Sequence, residues 1–256
     1  MRITKLWILL LLICETFPAS QVRAEDRSAS FGATEVGFAT DAGLWLGTYA
    51  MESLWHQPNG VRNFPSESLD LDVRRSTHGG HVNNDYNSRE MAWRRYSDTG
   101  IAGLVAGAIA TPLGQGSHTI ASLAKVSRAF AVNNFACTLI KNAVHRSRPK
   151  PTLSMSVDQG DDNAKSFPSS HASNAMVAAT SIAFLTPDAP IALHAFVYAF
   201  GASIGMGRIM ADRHFFTDVV AGSAIGVGIT RWVFANSDDN HAIFFRGNSI
   251  ALQIRF

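Results

Sequence analysis

Residues 166–185 read SFPSSHASNAMVAATSIAFL. Two small hydroxyl residues follow a proline here and precede the run Ala172 to Leu185, which reads as a helix, so Ser169 or Ser170 is its N-cap. Apolar residues at helical spacing recur on both sides of this run. They place further helices at Val36 to Trp55, near Arg89 to Pro112, and at Ser117 to Arg146, Pro190 to Met206 and His214 to Asn236. The class is all-α, a helical bundle of about six helices. Residues 25–32 read as a flexible lead and Gln57 to Arg89, rich in Pro, Asn, Ser, Gly and charge, as a long surface connection. After Asn240 the pattern alternates, with Ile250, Leu252, Ile254 and Phe256 on one face and Arg246-Gly247-Asn248 as a turn, the signature of a small C-terminal β-hairpin.

Three short segments in this bundle concentrate chemistry. Lys141 and Arg148 are seven positions apart, almost two helical turns, so on one helix both cations leave the same face. Pro149 and Pro151 stop that helix near Arg148. The same cations would also complement the negative end of the helix dipole. At the start of the next helix, the backbone N–H groups around Ser169 and Ser170 suit a phosphate, and His171 sits beside that anion, where it can deliver a proton to a leaving oxygen. In the third segment His214 precedes Asp218 by four residues, one helical turn if the stretch is helical, and Arg208 lies six before His214. Asp218 would then hold one imidazole nitrogen, fix the tautomer and leave the other nitrogen free.

Together these segments, Lys141-x6-Arg148-Pro149, Pro168-Ser169-Ser170-His171 and Arg208-x5-His214-x3-Asp218, resemble the type 2 phosphatidic acid phosphatase and vanadium haloperoxidase superfamily, in particular its bacterial acid phosphatase-like members. The match spans Lys141 to Asp218. The resemblance implies that His214 is the nucleophile that becomes a phosphohistidine, that Asp218 orients it, and that His171 protonates the leaving group and then activates water. It implies that Lys141, Arg148 and Arg208, with Ser169 and Ser170, bind the phosphoryl oxygens, and that no metal or other cofactor is needed, since fixed cations stabilise the charge that collects there. Ser170 stands where the family has Gly, and Gly207 where Ser precedes the arginine; neither departure removes a charged or proton-transferring group.

Residues 1–24 show a basic start (Arg2, Lys5), an apolar stretch from Leu6 to Cys14 and a Val22-Arg23-Ala24 ending, which reads as a signal peptide. Export to the periplasm or cell envelope is expected, with residues 25–256 as a single phosphatase domain. Without the leader the chain is formally neutral, which gives no nucleic-acid surface, and Cys137 alone remains, which excludes an intramolecular disulfide. Mean hydropathy of only +0.06, with Gly, Ser, His, Gln and Pro diluting the apolar helices, favours a soluble or peripherally attached protein over an integral membrane one. His78, His81 and Asp85 lack the ligand cluster of a metal site. The acidic loop Lys150 to Lys165 is a candidate lid.

The expected activity is a metal-independent phosphatase acting on phosphate monoesters, either small esters or lipid phosphates and diphosphates. A vanadium-dependent haloperoxidase would use the same anion cradle with vanadate on His214, but the chain is compact for one; in the phosphatase, vanadate is instead an inhibitor. A non-catalytic phosphate-binding scaffold would need the cations alone, not both histidines and Asp218.

Overall fold

The computed structural model describes residues 27–54, 65–77, 88–149, 164–236, 241–246 and 249–254. Seven α-helices lie among them: α1 (Arg27–Leu54), α2 (Glu67–Thr77), α3 (Ser88–Ala110), α4 (Thr119–Val144), α5 (Ser170–Leu185), α6 (Ile191–Met210) and α7 (Phe216–Asn236). Two strands, β1 (His241–Arg246) and β2 (Ser249–Ile254), pair antiparallel with His241 opposite Ile254. The leader, His78, His81, Asp85 and nearly all of the candidate lid fall outside the described residues.

The stretch 166–185 supplies the centre of the bundle. Every residue from Ala172 to Ile182 is buried, so α5 touches protein on all sides, as a helix must when its small and apolar residues form no single stripe. Helices α3, α4, α6 and α7 surround it, and α1 packs on α4. Ile101, Leu104 and Val105 of α3, Val126 and Phe130 of α4, Val177 and Ile182 of α5, Ile204 of α6 and Val233 of α7 form one core. Between α4 and α5 the core is polar: Asn133 and Asn134 both donate to Asn174, at 2.8 and 3.2 Å, which fixes the register of the two helices because any slip would strand buried amides.

Helix α7 lies against α5 closely enough that a side chain would not fit. A β-carbon on Gly222 would overlap the carbonyl of Ser169, and one on Gly226 that of Ser173. Because the obstacle is backbone, Gly226→Val is expected to cost about 1–3 kcal/mol or more, visible as a lowered melting temperature in circular dichroism. The same contact brings the start of α7, where Asp218 lies, beside the start of α5, where His171 lies.

Four expectations are corrected. The connection read from Gln57 to Arg89 contains α2, a charged helix that packs on the turn between α6 and α7. The helix bearing Lys141 ends at Val144 rather than near Arg148, because His145 adopts the left-handed conformation (φ 50°) and its N–H caps the Lys141 carbonyl at 3.1 Å. Lys141 and Arg148 therefore do not share a helix face. His214 lies outside α7, which starts at Phe216, and of residues 25–32, read as a flexible lead, those from Arg27 on are helical. Among the described residues, α7 alone is long and apolar enough to cross a membrane by length and composition.

Candidate active site

The α6–α7 turn, the α4–α5 connection and the start of α5 converge on His214. This side chain is 3 % exposed. Its Nδ1 lies 2.8 Å from the carbonyl of Ser166, which only accepts, so Nδ1 carries the proton and Nε2 holds the lone pair. Nε2 lies 3.3 Å from Arg148 Nη1, whose N–H also donates to the carbonyl of Arg213 at 2.7 Å. Burial, then the charges of Arg148, Lys141, Arg208 and His171, hold this imidazole well below its ordinary value. It is a neutral ring with an unprotonated nitrogen set among cations.

Asp218 stands 3.6 Å from His214 Nδ1, near enough to act by charge but too far for the hydrogen bond expected of it. The reason is local. Asp218 is the third residue of α7, and its Oδ2 caps the helix by accepting the N–H of Phe215 at 2.9 Å, the reciprocal half of a capping box. Oδ2 also accepts the Ser166 hydroxyl at 2.6 Å, and Oδ1 accepts Arg146 Nη1 at 2.6 Å. Asp218 thus holds Ser166, whose carbonyl holds His214.

Lys141, on the last turn of α4, donates to the carbonyls of Lys165 and Pro168 at 2.9 and 2.6 Å and so ties down the approach to α5, which includes the cis Phe167–Pro168 bond. Ser169 is the N-cap, its Oγ accepting the N–H of Ala172 at 3.4 Å. Its own N–H donates to the carbonyl of Asp218 at 2.9 Å, so Ser169 is spent on structure rather than offered to an anion. The N–H groups of Ser170 and His171 occupy the first turn, where the helix itself supplies no acceptor.

His171 Nε2 lies 2.9 Å from Oδ1 of Asp98, a residue of α3 outside the three motifs. The same oxygen accepts Arg208 Nη1 at 2.9 Å, and Arg208 also donates to Ser97 Oγ at 3.1 Å. Arg208 Nε is buried and has no hydrogen-bond partner among the described residues. Burial, and after it the Arg208 charge, push His171 down to about 4, with Asp98 acting in the opposite sense. Burial likewise lowers Arg208 to about 9, again opposed by Asp98. For Asp98 itself burial raises the carboxyl, but the bond from His171 and the charges of Arg208, His171 and Arg94 outweigh it and hold the group below its ordinary value.

The structure therefore gathers Arg148 and Asp218 around His214, and links His171 to Arg208 through Asp98. Asp98 and Ser166 were not singled out in the sequence, and neither carries a local signal: their partners lie 73 and 48 positions away. Among the described residues, no group of three or more His, Cys, Asp or Glu side chains could hold a metal ion.

Residues 122–242 match the family model described as the PAP2 superfamily, a range that takes in all three motifs. Among solved structures, LpxE from Aquifex aeolicus shares the fold, with a TM-score of 0.51 at 18 % identity over 69 % of this chain and 99 % of that one. A transmembrane PAP2 type phosphatidylglycerolphosphate phosphatase from Bacillus subtilis aligns over 76 % of this chain and 94 % of its own at 18 % identity, with a TM-score of 0.48. No curated protein matches the chain in sequence. The three motifs lie inside the matched range and their residues are drawn together as described, so it is the segment 122–242 that is similar to the PAP2 superfamily.

Proposed function

We propose that the protein is a phosphatase that hydrolyses phosphate monoesters through a phosphohistidine at His214, without a metal. The observation that carries this reading is the His214 ring: Nδ1–H engaged by the Ser166 carbonyl, Nε2 unprotonated, and Arg148 beside it. In the first step Nε2 attacks phosphorus, the P–O ester bond breaks, and His171 gives its proton to the departing oxygen. In the second, neutral His171 takes a proton from water, the water oxygen attacks phosphorus, the P–N bond breaks, and phosphate leaves with His214 neutral again. Arg148 and Arg208, with Lys141 behind them, stabilise the equatorial oxygens; the orphaned Nε–H of Arg208 is a donor awaiting such an oxygen. The N–H groups of Ser170 and His171 add to that cradle.

For the substrate, the surface of α6 favours a lipid phosphate. Ile191, Phe196 and Met206 are 81, 63 and 46 % exposed along the helix that carries Arg208 on its buried face, so that helix presents apolar side chains to its surroundings. Phosphate release from p-nitrophenyl phosphate and from a dispersed phosphatidate, in EDTA and with or without vanadate, tests the reading. Vanadate-sensitive release from both, faster from the lipid, is expected; peroxide-dependent halogenation after vanadate loading, with no phosphate release, would replace it by the haloperoxidase.

Asp98 makes this chemistry pH-dependent in a definite direction. His171 donates from its cationic form, with Nε2–H held by Asp98, so activity is lost as pH rises through its pKa. In the free enzyme that value is about 4, and kcat/KM reports it; the bound phosphate's negative charge raises it in the complex, which kcat reports. Because Asp98 raises His171, Asp98→Asn is expected to move the falling limb of both profiles to lower pH by on the order of one unit. Substrate ionisation is common to both enzymes and cancels in the comparison. Superimposable profiles would remove Asp98 from the mechanism.

A further inference from the structure

Helix α2 reaches the site from a segment with no motif in it. Asp70 and Arg74, one turn apart on α2, both grip the turn that carries His214. Arg74 pairs with both oxygens of Asp212, at 2.8 and 2.6 Å. Asp70 Oδ2 accepts Arg146 Nη2 at 2.6 Å, and the other arm of that guanidinium donates to Asp218 Oδ1 at 2.6 Å. Asp70 also accepts the Thr217 N–H at 2.9 Å, the Thr217 hydroxyl at 2.7 Å and the Ser66 hydroxyl at 2.7 Å. Phe215 closes the other side, its ring centroid 4.3 Å from the Arg146 guanidinium. Asp70, Arg146 and Asp218 are 1, 2 and 0 % exposed.

We propose that Asp70 and Arg146 are positioning residues for phosphoryl transfer, holding Asp218 in place and giving the cluster the net negative charge that the His214 ring needs when it becomes a cation. The proposal rests on the reading of His214 as the nucleophile. Two carboxylates share one guanidinium, so the buried cluster carries one net negative charge, with Asp218 Oδ2 at 3.6 Å from His214 Nδ1. In the resting enzyme the ring is neutral. When Nε2 bonds to phosphorus and Nδ1 keeps its proton, the ring gains one positive charge, and cluster and ring then balance. A single carboxylate paired with Arg146 would already be neutral and would leave the Nδ1 side of the new cation with no net protein charge, the phosphoryl oxygens lying on the Nε2 side among Arg148 and the other cations. Asp70 supplies that missing unit from the far side of Arg146. Position follows the same chain: Asp218 Oδ2 holds the Ser166 hydroxyl, and Ser166 holds the ring.

The test is Asp70→Asn, which keeps the shape and removes the charge, assayed with p-nitrophenyl phosphate and with vanadate and inorganic phosphate as inhibitors. Vanadate bonded to the ring nitrogen resembles the transition state, whereas phosphate resembles the ground state. The expected result is a kcat lower by roughly 10- to 100-fold, KM within about threefold, and vanadate inhibition weakened in step with kcat while phosphate inhibition holds. Should Asp70→Asn fail to fold, Arg146→Lys, which keeps the cluster's charge but loses the fork that holds Asp218, tests the positioning half and is expected to lower kcat with KM held and vanadate inhibition weakened more than phosphate inhibition. Unchanged kcat, or equal weakening of vanadate and phosphate with a raised KM, overturns the proposal while the phosphatase reading stands. Wild-type protein that neither releases phosphate nor binds vanadate overturns both.

Discussion

His214→Ala is expected to lower phosphate release by roughly 10⁵-fold while leaving the fold intact, because it removes the proposed nucleophile, an unprotonated Nε2 lying 3.3 Å from Arg148 Nη1. Its other contact is one hydrogen bond to a backbone carbonyl, and the side chains that shape the turn, Asp218, Asp212 and Arg146, bond to partners other than the ring. The melting temperature of the variant should therefore stay close to that of the wild type. Phosphate affinity should survive as well, since Arg148, Arg208 and Lys141 remain. A variant that binds phosphate without turning over esters would separate the cradle from the nucleophile.

Arg208→Ala should cost about 10³-fold in kcat/KM, the scale seen when a fixed donor to a transferring phosphoryl group is removed. The guanidinium is 4 % exposed, so its charge acts with little screening. The variant has a second consequence that a loss of packing would not produce. Arg208 lowers His171, and Asp98 Oδ1, freed of Arg208, would be left to His171. The falling limb of the pH profile should then move to higher pH, opposite to Asp98→Asn. Opposed shifts from two residues bonded through one oxygen atom would identify His171 as the group that titrates; shifts in the same direction would exclude it.

Much of this was legible before any fold was known. A cap at Ser169 or Ser170, the helical run from Ala172 and the bundle class follow from local pattern, and local pattern is what a sequence states directly. His171, His214, Asp218, Lys141, Arg148 and Arg208 stood out through spacing and through the family resemblance. What was not legible is pairing over distance. Asp70 meets Arg146 across 76 positions and Asp98 meets Arg208 across 110, and no periodicity in a window of either residue records the partner. Helix α2 was hidden for a related reason: charged and hydroxyl residues dominate it, and the residue it buries is Asp70, a charge that only a partner elsewhere makes tolerable. The helix length around Lys141 was misread because His145 takes a left-handed conformation that its residue type does not announce. The role of Asp218 was half legible: its proximity to His214 was, but its preference for capping α7 and pairing with Arg146 required the turn to be seen.

The central claim is a covalent bond between phosphorus and His214 Nε2, and it is tested most directly by quenching the enzyme at alkaline pH during turnover of a phosphate ester and mapping the phosphoryl group by mass spectrometry. The account predicts a base-stable, acid-labile phosphoryl group on the peptide carrying His214, formed in the wild type, accumulating when His171→Ala is given an activated aryl ester, and absent from His214→Ala. Full turnover with no phosphopeptide in either active protein, or a phosphoryl group on any other residue, would contradict it.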